Sequence, residues 1–276
     1  MSSKLVFFDI DGTLWDWNGD IPDSTIVAIK KLKENGHIPI LCSGRSKGHI
    51  VEPKLLDMGF AGIIAACGEH VEYEGQIIDE QFLEADLVKK IIDLSEECNV
   101  PIVLEGPVKQ WISAHGFELD DFVARMYEVM GDNAVTLHGY TEDMKVNKFA
   151  GDVLKDSDYK KFKAEIEKDL SFIEHEFVCE VKEIADSKEI SMVFEAVIPG
   201  TSKEKGIKKL CDYLKVDMKD TYALGDSAND IEMIKCVGTG IAMGNGSNSL
   251  KEVSDYVTDH IHKDGLYNAL KHFELI

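Results

Sequence analysis

Leu5-Val6-Phe7-Phe8-Asp9-Ile10-Asp11-Gly12-Thr13 runs four large apolar residues straight into two aspartates and a glycine. An unbroken apolar run of this length reads as a strand buried on both faces, the kind found in a parallel sheet. Side chains alternate along a strand, so Asp9 and Asp11 share a side at its end, and Gly12 lets the chain turn sharply beyond them. Two carboxylates in one small space repel each other unless a cation lies between them or one holds a proton, and both conditions serve chemistry. Taken alone, the stretch reads equally well as a strand ending in an ordinary acidic turn, so its surroundings decide.

The same pattern of strand and polar edge recurs outward from this point. Asp23 or Ser24 can cap a helix with Ile26, Ile29 and Leu32 on one face, closed by Gly36. Ile38-Pro39-Ile40-Leu41-Cys42 is a second buried strand, delivering Ser43-Gly44-Arg45 to its end. A helix to about Met58, kinked or begun at Pro53, leads to a third strand over Ile63-Ile64-Ala65-Ala66. Val71 to Tyr73 and Gln76 to Ile78 then flank Glu74-Gly75 as a hairpin. Between about Leu83 and Glu189, amphipathic helices (Asp86 to Cys98, Leu119 to Met130, Tyr159 to Leu170) mix with strand-like runs such as Ile102-Val103-Leu104 and Phe172-Ile173. Regular alternation returns with Met192 to Ile198, a helix from about Lys203 to Leu214, and Thr221-Tyr222-Ala223-Leu224, which delivers Gly225-Asp226-Ser227-Ala228-Asn229-Asp230. The expected fold is α/β: a Rossmann-like parallel sheet core from residues 1–82 and 190–276, with an inserted α+β cap domain over residues 83–189.

Composition narrows the function. The 276 residues are 44% hydrophobic and 29% charged, which suits a soluble globular protein. Thirty Lys and Arg face 51 Asp and Glu, a formal charge of −21, which repels nucleic acid and anionic lipid. The same field repels a phosphorylated metabolite, so a site for one needs local positive charge. The six cysteines lack paired spacing and read as reduced core residues. With no leader-like start and no apolar run of membrane-spanning length, the chain is expected in the cytoplasm and off the membrane.

Asp9 to Thr13, Ser43 to Arg45 and Asp226 to Asp230 all stand past the C-terminal ends of expected parallel strands, the edge where open α/β sheets bind ligands. Lys203, at a helix start, can reach the same place. Asp9, Asp11 and Asp226 offer the hard oxygen ligands that magnesium prefers. Ser43, the Gly44 amide and the Lys203 ammonium can hold phosphoryl oxygens.

These residues resemble the motifs of the haloacid dehalogenase superfamily, in its Cof-type branch, where an α+β cap lies between the second and third motifs. The carrying segments are Asp9-Ile-Asp-Gly-Thr13, Ser43-Gly-Arg45, Thr201-Ser-Lys203 and Gly225-Asp-Ser-Ala-Asn-Asp230, with Gly240-Ile-Ala-Met-Gly-Asn245 behind them, in the family's order over nearly the whole chain. The resemblance implies a magnesium-dependent phosphatase acting on a small phosphorylated metabolite. Asp9 would attack phosphorus to give an aspartyl-phosphate. Asp11 would protonate the departing alkoxide and later take a proton from water. Magnesium would be held by Asp9, the Asp11 backbone carbonyl and Asp226, and Lys203 would neutralise the nucleophile and the transferring group. Asp230 would bind the metal or orient a ligand, and Asn229 would orient the phosphate or cap the next helix. Thr13 would touch phosphate or stabilise the turn, and Arg45 would bind an anionic leaving group or form an ion pair.

The chain departs from the family pattern at Cys67-Gly68, where Asn-Gly is usual, and no site role is carried onto Cys67. Trp15 and Trp17 are expected to cover the cap hinge, with hinges near Phe82 and Lys188 and a cap that opens and closes over the crevice. Trp111, His115, Arg125, Tyr127 and Lys148 are chemical candidates for facing the substrate. Phosphoryl transfer to a sugar hydroxyl and non-catalytic sensing of a phosphometabolite are the rival functions.

Overall fold

A computed structural model describes residues 3–113, 127–175 and 190–276. Contacts divide the chain into two compact units, one of residues 1–45, 52–80 and 202–276, the other of residues 46–51 and 81–201.

The first unit is built on an eight-stranded sheet whose strands, numbered along the chain, are β1 (Leu5–Phe8), β2 (Ile38–Cys42), β3 (Gly62–Ala65), β4 (His70–Tyr73), β5 (Gln76–Glu80), β12 (Thr221–Gly225), β13 (Thr239–Ala242) and β14 (Tyr256–Val257). Their order is β14-β13-β12-β1-β2-β3-β4-β5. The six from β14 to β3 run parallel, and β4 and β5 close the edge as an antiparallel hairpin. Leu5, Val6, Phe7 and Phe8 are all buried, as a strand covered on both faces must be. Phe7 packs into one cluster with Ile40, Ile64 and Ala223 of its sheet and with Ile207 and Leu210 of the helix Lys203–Leu214. Phe8 pairs with Leu41 on one side and Leu224 on the other. Three strands therefore end level, and the residues that follow them, Asp9, Ser43 and Asp226, leave the sheet along one edge.

The second unit holds a six-stranded sheet of β6 (Ile102–Glu105), β7 (Gln110–Ile112), β8 (Ala134–Thr136), β9 (Lys148–Leu154), β10 (Ser171–His175) and β11 (Ile190–Val197), in the order β10-β11-β9-β6-β7-β8. All its pairs are antiparallel except β7 with β8. Helices Ala85–Glu97 and Tyr159–Ile166 press Val88, Ile91, Ile92, Phe162 and Ile166 onto the face carrying Leu104, Trp111, Phe149, Phe194 and Ala196.

One expected placement is corrected. The strand read over Met192 to Ile198 forms, but it pairs with β9 and β10 in the second sheet, not with the parallel core. Its alternation carries the reason: Phe194 and Ala196 face the apolar cluster, while Glu195 lies on the opposite face beside Lys148. A strand of the parallel core would be apolar on both sides. Of the helix read over Leu119 to Met130, residues 119–126 lie outside the described residues, as do His115, Arg125, Cys179 and Lys188. Cys42, Cys98 and Cys211 are buried free thiols and Cys67 and Cys236 are half-buried ones. No described helix is long and apolar enough to cross a membrane.

Phe149 sits at the centre of the second unit's aromatic cluster, with ring centroids 6.1 Å from Phe162 and 5.9 Å from Phe194, both edge-on. Phe149→Ala should destabilise this unit by about 3–5 kcal/mol. Urea unfolding followed by near-ultraviolet circular dichroism measures it, and a loss under about 1 kcal/mol would show that the cluster is not its core.

Candidate active site

Lys203 opens its helix immediately after Ser202, whose hydroxyl caps it by accepting from the Lys205 amide at 3.3 Å. A cation at this position opposes the helix dipole, and this one is also almost fully buried, so it needs compensating charge. It finds two carboxylates: Nζ donates to Asp9 Oδ1 at 2.6 Å and to Asp230 Oδ1 at 2.5 Å. Asp230, wholly buried, uses its other oxygen to accept from the amides of Asp226 (3.0 Å) and Ser227 (3.1 Å). It is a strut that fixes both the ammonium and the turn carrying Asp226.

Carboxylate oxygens of Asp9, Asp226 and Asp230 all lie within 4.8 Å of one another. Gly12 permits this. Its φ is +76°, and a Cβ there would stand 2.2 Å from Asp226 Oδ2. The Gly12 carbonyl is held by Asn245, which donates through Nδ2 at 2.7 Å and accepts from the Ile261 amide at 2.9 Å through Oδ1.

Three buried carboxylates around one ammonium leave negative charge uncompensated. Burial, then the Asp230 charge, push Asp9 well above the usual carboxylate range in spite of Lys203. Burial and Asp230 likewise push Asp226 up to about 7. Burial works against the Lys203 ammonium, but Asp230 and Asp9 outweigh it and raise its pKa. Hard oxygens with unneutralised charge are the donor set that a magnesium ion fits.

Asp11 goes elsewhere. Its carboxylate accepts from Arg45 twice, Nε to Oδ2 and Nη2 to Oδ1, both at 2.7 Å, and from the Trp15 indole at 2.9 Å. For Asp11 too burial is the largest influence and acts upward, but the charge and hydrogen bonds of Arg45 with the Trp15 bond outweigh it, and its pKa falls. Of the alternatives for Arg45, the ion pair is the one that forms, and its partner is Asp11.

The remaining candidates gather at the same edge. Thr13, buried, donates to Asp226 Oδ1 at 3.5 Å. Ser43 is buried at the end of β2, and its Oγ accepts from the Arg45 amide at 3.1 Å. A Cβ on Gly44 would lie 3.5 Å from Cys67 Sγ and 4.0 Å from Asn229 Nδ2, so these three segments adjoin. Asn229 accepts from the Ser227 hydroxyl at 2.6 Å. Ala66, Cys67 and Gly68 carry three successive positive φ values of 48°, 53° and 93°, a costly run for the two non-glycine residues.

Several expectations change. Trp15 lies buried with its indole donating to Asp11, whereas Trp17 is exposed. Trp111 belongs to the apolar cluster of the second unit. Tyr127 lies 6.0 Å from the His49 ring, and Lys148 is buried between Glu105 at 3.8 Å and Glu195. The sequence names neither Asp11 as the partner of Arg45 nor Asn245 as a brace. Their only sequence signals were an arginine directly after Ser43-Gly44 and an asparagine after Gly244.

A family model described as haloacid dehalogenase-like hydrolase matches residues 6–270. The chain is 34% identical to a Bacillus subtilis (strain 168) protein named as a phosphatase, YkrA, over the whole of both chains. It is 26% identical to the 5-amino-6-(5-phospho-D-ribitylamino)uracil phosphatase YitU of the same organism, covering 98% of this chain and 97% of that one. The solved structure of the subclass IIB sugar phosphatase BT4131 superposes with a TM-score of 0.77 at 23% identity, over 99% of this chain and all of that one.

The raised Asp226 carboxyl fixes a pH dependence. Folding takes up a proton at this group between the ordinary carboxylate value of about 4 and about 7, so its contribution is present at low pH and is lost as pH rises through that window. In EDTA, the melting temperature should fall from pH 5 to pH 8 by on the order of 5 °C more in the wild type than in Asp226→Asn. Excess Mg2+ at pH 8 should restore the wild type only. Parallel curves for the two proteins would contradict the assignment.

Proposed function

The chain belongs to the haloacid dehalogenase-like hydrolases and is a phosphatase, and from that premise we propose that it hydrolyses small phosphomonoesters with magnesium through an aspartyl-phosphate on Asp9. The observation that carries this reading is the buried Lys203 ammonium held 2.6 Å from Asp9, with the Asp226 carboxylate beside them and Ser43 and Gly44 at the same sheet edge.

Asp9 attacks phosphorus in line with the leaving oxygen. Lys203 draws charge from the nucleophile and from the phosphoryl oxygens as the bond forms, while Ser43 Oγ, the Gly44 amide and Thr13 orient the group. Asp11 gives the leaving oxygen its proton, then takes one from the water that attacks the aspartyl ester. The Asp9 and Asp226 carboxylates with the Asp11 backbone carbonyl would hold magnesium, which supplies positive charge to the phosphoryl oxygens. Asp230, with four donors already on its oxygens, serves as the brace behind this set, and Asn229 lines the Gly44 side.

The substrate class we propose is the phosphorylated polyol or sugar, in keeping with the ribityl phosphate that YitU is named for. Phosphate release across a panel of sugar phosphates, polyol phosphates, nucleotides and phosphorylated vitamins tests it, and activity confined to nucleotides would reject it. Asp9→Asn should lower turnover of 4-nitrophenyl phosphate by at least about a thousandfold with the melting temperature retained. EDTA should abolish activity and Mg2+ restore it. Turnover persisting in Asp9→Asn would remove the nucleophile from Asp9.

A further inference from the structure

The three hydrogen bonds on Asp11 all come from donors, two from one guanidinium and one from an indole. A carboxyl so surrounded is presented as an acceptor on both oxygens. Neither donor is free to wander. The Arg45 backbone is fixed by its amide on Ser43 Oγ (3.1 Å) and by its carbonyl, which accepts from the Ala66 amide at 2.8 Å. Trp15 is buried, its amide bonded to the Ile10 carbonyl at 3.2 Å and its carbonyl accepting from the Gly12 amide at 2.8 Å. The guanidinium also lies over the Trp15 ring, 5.4 Å from its centroid. Two rigid segments thus set the plane of one carboxylate, although only one half of the reaction asks this residue to accept a proton.

We propose that Arg45, supported by Trp15, is the positioning residue that holds Asp11 as proton acceptor for the hydrolytic half of the reaction, an inference that rests on the function proposed above. In that half, water oxygen forms a bond to phosphorus, the bond from phosphorus to Asp9 breaks with its electron pair returning to the Asp9 carboxylate, and the water proton passes to Asp11. The proton then leaves with the next alkoxide, so the cycle closes. Arg45 acts through Asp11 and is not itself a proton donor or acceptor.

4-Nitrophenyl phosphate separates the two halves. Its leaving group departs without a proton, so kcat/KM reports transfer to Asp9 with little demand on Asp11, while kcat includes hydrolysis of the aspartyl ester. In Arg45→Ala, kcat should fall roughly tenfold or more, KM should fall with it, and kcat/KM should stay within about twofold. Stopped-flow mixing should show a burst approaching one nitrophenolate per protein. Arg45→Lys should behave alike, because a single ammonium cannot make the two parallel bonds, and Trp15→Phe should shift the same way by less. Retained kcat/KM certifies the fold of each variant, and the three variants give independent readings should one fail to fold. Equal losses in kcat and kcat/KM without a burst, or no change in either, would overturn the proposal. Asp9→Asn distinguishes the two levels: if it stays active, the underlying function fails, whereas an inactive Asp9→Asn alongside equal losses in the Arg45 variants sinks only the role of Arg45.

Discussion

The buried ammonium of Lys203 is the constraint on which the rest of the site depends. A charge removed from water is tolerated only when opposite charge meets it at hydrogen-bonding distance. Asp9 and Asp230 do so from segments 194 and 27 residues away in the chain. The end of β1, the start of the helix Lys203–Leu214 and the turn after β12 are thereby tied to one point. Close packing supports the tie: a Cβ on Gly68 would stand 2.3 Å from the Ser202 carbonyl, and one on Gly206 would stand 2.5 Å from Ile64. The helix can start where it does only because glycine lies at both contacts.

Two aspartates two residues apart take opposite electrostatic paths. Asp9 turns toward carboxylates and one ammonium and is pushed up, whereas Asp11 turns toward a guanidinium and an indole and is drawn down. Neighbouring groups whose environments diverge in this way can take different chemical roles. The division arises from what each side chain touches, since the residue type is the same for both and both follow β1.

The chain's formal charge of −21 repels an anionic substrate at long range. The candidate site answers it locally, with Lys203 and Arg45 beside the acids and with an excess of hard oxygen that suits a divalent cation. The lining also departs from the family pattern, with a half-buried thiol at Cys67 beside Gly44 and in a left-handed backbone conformation that asparagine adopts more readily.

Much of the fold was legible in the sequence because periodicity and burial are local. Leu5-Val6-Phe7-Phe8, Ile38 to Cys42 and Thr221 to Leu224 are continuous apolar runs, and such runs become central parallel strands with polar edges at Asp9, Ser43 and Asp226. Lys203 at a helix start and Asp230 at the end of the third cluster were legible by the same placement, and the family resemblance added the roles expected of them. What required the tertiary structure was partnership. Pattern alone could not say that Met192 to Ile198 joins the second sheet, since register depends on which neighbours its Phe194 and Glu195 meet. Nor could it say that Arg45 grips Asp11 while Asp230 braces Lys203, because hydrogen bonds between distant segments are fixed only when the strands that carry them stand side by side.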